Sequence, residues 1–206
     1  MYLKYKSLCS LVAVATVILS FASALHANDL GDAQADRLAA EEKARNYFTN
    51  VELVSQDGER LHFYDDVLRD NVVVISFIFT NCQGACPLIT RNMTMIRDML
   101  RESEREQIRF ISISLDPVRD TPAAMKAFAQ THDADHQGWL FLTGQPDNVN
   151  LVTKRLGTYT DELETHTTML LAANVREAHW TKIPPNVPPS GAVERLRLLV
   201  EDDAAP

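Results

Sequence analysis

The chain has only three cysteines, no surplus of basic charge, no internal repeat and no long low-complexity run. Its 20 Lys and Arg stand against 28 Asp and Glu, a formal net charge of −8. That balance argues against a nucleic-acid partner. Acidity names no partner of its own, since it also serves solubility. Cys9 falls in an apolar N-terminal run, so the body of the chain holds only Cys82 and Cys86. Any thiol or metal–thiolate chemistry in the body therefore falls on those two residues.

The N-terminus has three parts. Lys4 and Lys6 form a short basic start, residues 8–25 are apolar, and Ala22-Ser23-Ala24 is a small-x-small cleavage pattern ahead of Asn28-Asp29. This layout reads as a secretory signal over residues 1–24. The competing reading is a retained membrane anchor, because the apolar run is close to the roughly 20 residues that span a bilayer. Both place the rest of the chain outside the cytoplasm, most simply in a bacterial periplasm. A close cysteine pair there is oxidised unless something reduces it or a metal protects it. About 180 residues remain, enough for one domain with a sizeable core. Removal of Lys4 and Lys6 with the leader leaves 18 of the 20 basic residues against all 28 acids. Residues 25–46, largely Ala-, Asp- and Glu-rich, are expected to form a linker or a loosely docked helix, and residues 47–206 the domain.

Within the domain the pattern alternates strand and helix. Val51–Val54 and Arg60–Phe63 flank Asp57-Gly58, a hairpin signal. Residues 72–79 are apolar and β-branched without alternation, which predicts a strand buried on both faces. From Pro87 to about Arg101 a helix is expected. One row is Ile89, Met93, Ile96 and Leu100, and a second is Leu88, Met95 and Met99, together a wide buried face. Ile108–Ser114 reads as a strand ended by Asp116-Pro117. Thr121-Pro122 caps a helix with Pro in the favoured first position. Trp139–Leu142 is a short strand, and Gln145–Leu156 a helix closed by Gly157. Thr168–Ala173 and Glu177–Lys182 form a second strand pair around Asn174. A proline-rich loop follows, and Ser190 starts a last amphipathic helix. The charged run 101–107 reads as an exposed helix end. The order predicts an α/β domain, a central mixed sheet with helices on both faces and an N-terminal β-hairpin.

The motif Cys82-Gln-Gly-Ala-Cys86-Pro87 sits between the buried strand and the following helix. Two cysteines four apart can form a disulfide, hold a metal, or do both. A purely structural bridge is one reading, although a ring this short constrains the unfolded chain little. Soft thiolates select Cu(I), and imidazole suits copper in either common state. Pro87 disfavours helical geometry at Cys86, which predicts Cys86 as the helix cap. A helix N-terminus stabilises a thiolate, and that thiolate is both ligand and nucleophile. Several other residues have bland readings beside a metal role. His132 and His136 stand at i, i+4 in a polar stretch and read as a solvated loop. Met93 and Met95 carry soft sulfur but sit in an apolar face and read as core. Asp116 is either a group behind the ligands or the first residue of an Asp-Pro turn. His166 by itself reads equally as a core or surface histidine.

Several segments together resemble the Sco/SenC family. Thr80-Asn-Cys82-Gln-Gly-Ala-Cys86-Pro87 is similar to that family's Thr-x-Cys-x-x-x-Cys-Pro signature. Ser112-Ile-Ser-Leu-Asp116-Pro117-Val-Arg119-Asp120-Thr121-Pro122 is similar to its second, and Trp139-Leu-Phe-Leu-Thr-Gly144 to a third. His166-Thr167, before an apolar strand, stands where the family places its histidine. The resemblance covers about Val51 to Val200. It implies a thioredoxin-like fold and an exported copper-binding protein with Cys82, Cys86 and His166 as metal ligands. It further implies a role in assembling the copper centre of a respiratory cytochrome oxidase, with an oxidase subunit or another copper carrier as partner. The alternative it carries is a thiol–disulfide reductase for cysteines of an oxidase subunit, Cys82 attacking and Cys86 resolving. A thiol peroxidase is a third reading. The chain departs from the family at Gly84, where members often carry an acid. It departs again at Thr165, where many have Asp before the histidine and here Glu164 lies one step further back. The stretch from Gly157 to His166 is also shorter than usual in the family. Such neighbours orient ligands and tune metal affinity.

Overall fold

The computed structural model describes residues 34–163 and 166–201. The expected signal or anchor, residues 25–33, and Glu164 and Thr165 lie outside the described residues. Contacts divide the chain between Asn46 and Tyr47. Helix α1 spans residues 34–48, a stretch rich in Ala and Glu, both good helix formers. On its N-terminal part Arg37 and Glu41 pair at i, i+4, 3.3 Å apart. Past the division, Phe48 stacks on Trp180 with ring centroids 4.7 Å apart. Among the described residues no helix is long and apolar enough to cross a membrane.

Among the described residues seven strands form one mixed sheet in the order β2-β1-β5-β4-β3-β6-β7. The expected hairpin is β1 (Glu52–Ser55) and β2 (Arg60–His62), antiparallel across the Asp57-Gly58 turn. Gly58 takes φ +83°, a conformation open to glycine at little cost. The centre is β3 (Val72–Ile78) and β4 (Ile108–Ser114), parallel over seven residue pairs, with β5 (Trp139–Thr143) parallel on the far side of β4. On the other side of β3 lie β6 (Leu170–Asn174) and β7 (His179–Ile183), both antiparallel to their neighbours.

Every residue of β3 is buried, as its unbroken apolar run requires. Val72, Val74 and Ile78 join Phe110, Trp139, Phe141 and Ala172 in a core under three helices: α2 (Ala85–Met99), α4 (Pro122–Thr131) and α6 (Pro189–Glu201). The alternate row, Val73, Ile75 and Phe77 with Ile111 and Ile113, is equally buried. A π-helical turn (Phe63–Leu68) lies on this side, and α5 (Pro146–Arg155) packs beside β1. Arg109 marks that side, donating to the backbone carbonyls of Asp66 and Val67. Two serines cross the core at matched register. Ser76 and Ser112 lie opposite each other, their hydroxyls 2.9 Å apart, and Ser112 Oγ accepts the Trp139 indole N–H at 3.0 Å. Buried hydroxyls are tolerated when paired in this way.

Three expectations need correction. Helix α2 begins at Ala85 with Gly84 as its cap, so Cys86 is inside the first turn and is not the cap residue. Pro87 is compatible with this because first-turn N–H groups have no intrahelical acceptor to lose. The second apolar row of α2 is not buried: Leu88 is 63% exposed and Met95 37%. Met93 is core as expected, whereas Met95 is not. The charged run 101–107 is also only partly an exposed end. It contains α3 (Glu102–Arg105), and Glu104 is buried, accepting from Arg101 at 2.7 Å and from Arg197 of α6 at 2.9 Å. Arg101 and Arg197 hold its carboxyl down to about 2. Thr121 caps α4 as expected, its hydroxyl accepting the Ala124 N–H at 3.2 Å.

Candidate metal centre

The C-terminal ends of parallel β3 and β4 and the start of antiparallel β6 meet at one pole of the sheet. In open α/β sheets this pole, beyond the carboxyl ends of the strands, is where ligands bind. After β3 the chain turns at Phe79–Cys82, with the Cys82 N–H bonded to the Phe79 carbonyl at 3.2 Å. Cys82 therefore stands in a turn, half-buried, while Cys86 is held in the first turn of α2 at 0% exposure. The Cys86 N–H donates to Cys82 Sγ at 3.4 Å. His166 enters from the segment before β6, 80 positions along the chain from Cys86, and is 8% exposed.

The three donor atoms, Cys82 Sγ, Cys86 Sγ and a His166 ring nitrogen, lie within 4.8 Å of one another. This is the one group of three or more such residues among the described ones. A metal bonded at about 2.0–2.3 Å to three such donors needs them roughly 3.5–4 Å apart. Small side-chain adjustments reach that spacing. The imidazole is already oriented for it. His166 Nδ1 lies 2.9 Å from the Thr167 carbonyl, which only accepts, so Nδ1 carries the proton. Nε2 then presents its lone pair towards Cys86 Sγ at 3.6 Å. A second nitrogen tied to a backbone carbonyl is the usual way a ligating histidine is fixed. Phe79 packs against the ring, edge to face at 5.7 Å.

The two thiols differ. Burial opposes ionisation of Cys82, but hydrogen bonds from Cys86 and from the backbone of Gly84 and Ala85 outweigh it and lower its pKa below that of an ordinary thiol. Burial pushes Cys86 up to about 12, helped by its hydrogen bond to Cys82 and the nearby charge of Asp120. In the reduced protein at neutral pH, Cys82 should therefore be alkylated by iodoacetamide well before Cys86. Mass spectrometry of peptides taken at successive times measures this; equal rates would contradict the assigned asymmetry.

The remaining sequence candidates fall elsewhere. His132 packs on Phe128, ring centroids 4.4 Å apart, and His136 Nε2 lies 3.0 Å from the Asp133 carbonyl. Neither belongs to a described donor group. Asp116 accepts from Arg119 at 2.8 Å within its turn. The acid that sequence reasoning passed over is Asp120. It is 1% exposed and accepts from Thr80, two residues before Cys82, and from Ser114 at the end of β4. Its signal was visible: an acid directly before the Thr121-Pro122 cap, where the strand end and the helix start converge.

The SCO1/SenC family profile matches residues 39–201. A SCO1 protein homolog of Bacillus subtilis (strain 168) is 38% identical over 90 residues, 44% of this chain and 45% of that protein. The chain spans about half the length of the curated relatives it matches. Among solved structures, a SCO1/SenC family lipoprotein from Bacillus anthracis str. Ames has a TM-score of 0.64 at 28% identity, covering 74% of this chain and 94% of that one. Copper-bound ScoI of Bradyrhizobium japonicum has a TM-score of 0.60 at 23% identity, covering 72% of this chain and 96% of that one, a likeness of fold. The mixed sheet, its helices and the hairpin are thus those of a thioredoxin-like domain.

Proposed function

The chain belongs to the SCO1/SenC family, and from that premise we propose that it is a copper-binding metallochaperone for the copper centre of a respiratory cytochrome oxidase. The observation that carries this reading is the convergence of two thiols and an oriented imidazole at one pole of the sheet. Cys82, Cys86 and His166 would ligate Cu(I), the soft state that thiolates prefer. Copper is cargo here. Three protein ligands leave a coordination position free for a donor atom of the receiving protein. Only Cys82 of the two sulfurs is partly exposed, so the exchange proceeds from its side. A copper-bound solved structure of the same fold supports the choice of metal.

Titration of the reduced protein with Cu(I) against a competing chelator tests the reading. One equivalent should bind, and His166→Ala should weaken binding. A parent that binds no Cu(I), or a Cys82→Ser/Cys86→Ser variant that binds as tightly as the parent, would sink it.

The asymmetry of the thiols favours a second reading, a thiol–disulfide reductase. Cys82 thiolate would attack a partner disulfide and release one partner thiolate. Cys86, losing its proton, would then attack Cys82 Sγ, release the second partner thiol and leave the Cys82–Cys86 disulfide. This activity needs both cysteines and survives His166→Ala, which separates it from the first reading.

The site of action is the periplasm, supported by the basic start, apolar run and Ala22-Ser23-Ala24 of the sequence. The exported protein should begin near Leu25 or Asn28. N-terminal sequencing of the periplasmic fraction checks this, and recovery in washed membranes with residues 1–24 intact would establish the anchor instead.

A further inference from the structure

We propose that Asp120 is a positioning residue, a buried clip that fixes the turn carrying Cys82 to the end of β4. This rests on the metal-site reading but extends it to a residue outside the donor group. Cys86 is held by helix α2, and His166 by its bond to Thr167 and its packing on Phe79. Cys82 has no regular element around it, so its place depends on what holds the turn from Phe79 onward. Asp120 does this with both oxygens. Oδ1 accepts the Thr80 N–H at 3.0 Å and the Thr80 hydroxyl at 2.6 Å, while Oδ2 accepts the Ser114 hydroxyl at 2.6 Å. The Leu115 N–H, donating to the Ile78 carbonyl at 2.8 Å, continues the β3–β4 register up to this point. Three donors thus converge on one carboxylate.

The carboxylate is 1% exposed, and no basic side chain forms an ion pair with it among the described residues. A buried charge without a counter-charge is costly unless hydrogen bonds satisfy it. Such a group loosens its surroundings when either partner is removed, because the orphaned donors lose their acceptor. Asparagine fits the same place: its carbonyl accepts from Thr80 and its amide donates to Ser114. Hydrogen bonding, rather than charge, is therefore what the turn requires here, and the charge bears only weakly on Cys86.

The test uses two readouts on the parent, Asp120→Ala, Asp120→Asn and Thr80→Val. The first is the equilibrium constant with glutathione. One glutathione disulfide takes two electrons and two protons from the Cys82 and Cys86 thiols and leaves as two glutathione thiols, as the protein disulfide forms. The second is Cu(I) affinity. Loosening the turn lowers the effective concentration of one sulfur at the other. Asp120→Ala should lower the glutathione constant roughly tenfold or more, and Thr80→Val about threefold. Asp120→Asn should stay within about threefold of the parent. Cu(I) affinity should follow the same order. Should Asp120→Ala fail to fold, Asp120→Asn and Thr80→Val carry the test. The clip is overturned if folded Asp120→Ala matches the parent, if Thr80→Val changes nothing, or if Asp120→Asn falls as far as Asp120→Ala. The glutathione constant needs no copper. A parent that binds no Cu(I) therefore sinks the chaperone reading alone, and unchanged constants in a copper-binding protein sink the clip alone.

Discussion

Cys86→Ser should lower Cu(I) affinity on the order of a hundredfold to a thousandfold. Structural zinc sites with four strong ligands bind with about 10–16 kcal/mol, so one strong ligand accounts for roughly 2.5–4 kcal/mol. As a ligand, Cys86 would supply charge and softness from a position at 0% exposure, where a serine hydroxyl stays protonated and hard. His166→Ala should cost less, since imidazole brings no charge. The pH dependence sharpens the expectation. Cys86 has its pKa pushed up to about 12, so at every working pH the metal must displace its proton. Each unit of falling pH then costs roughly tenfold in apparent affinity from Cys86. Cys82, with its pKa lowered, adds to the slope only once the pH drops below that pKa. From pH 8 to pH 6 the parent should lose about a hundredfold or more, and Cys86→Ser should lose about a hundredfold less over the same interval. Chelator competition at several pH values measures both, and parallel slopes for parent and variant would contradict the protonated Cys86.

Trp139→Ala should destabilise the domain by about 3–5 kcal/mol. Trp139 is 1% exposed, stacks on Phe141 with centroids 5.4 Å apart, and tilts against Phe110 at 5.4 Å. It is the largest fully buried side chain at the meeting of β4, β5 and α4. For a domain of this size that cost corresponds to a fall in Tm of roughly 6–20 °C. Trp139→Phe keeps most of the buried ring but loses the indole N–H to Ser112. Ser112 remains bonded to Ser76, so this variant should lose only about 0.5–1.5 kcal/mol. Calorimetry ranks the two; a milder Ala than Phe variant would remove Trp139 from the core account.

Much of the fold was legible because its signals are local. Ile108–Ser114 became β4 residue for residue, bounded by charge on one side and Asp-Pro on the other. The apolar run of β3 implied burial on two faces, and Thr121-Pro122 named its helix cap. What escaped was set by packing. The period of α2 described an apolar stripe but not its neighbours, so Leu88, Met95 and Met99 were assigned to a core that does not cover them. Glu104 looked solvated within a charged run, because Arg197 lies 93 residues away. The π-helical turn at Phe63–Leu68 has no simple periodicity to announce it. At the site, the cysteine pair was plain from spacing alone. His166 was not: nothing local ties it to residues 80 positions earlier, and only the family resemblance joined them. Asp120 was passed over for Asp116 because burial, not residue type, distinguishes two acids in one loop.

The central claim is that one Cu(I) is held by Cys82, Cys86 and His166. X-ray absorption at the copper edge of the Cu(I)-loaded protein tests it most directly. The account predicts a three-coordinate Cu(I) with two sulfurs and one nitrogen, the nitrogen disappearing in His166→Ala. A spectrum without sulfur ligands, or one unchanged by Cys82→Ser/Cys86→Ser, would contradict it.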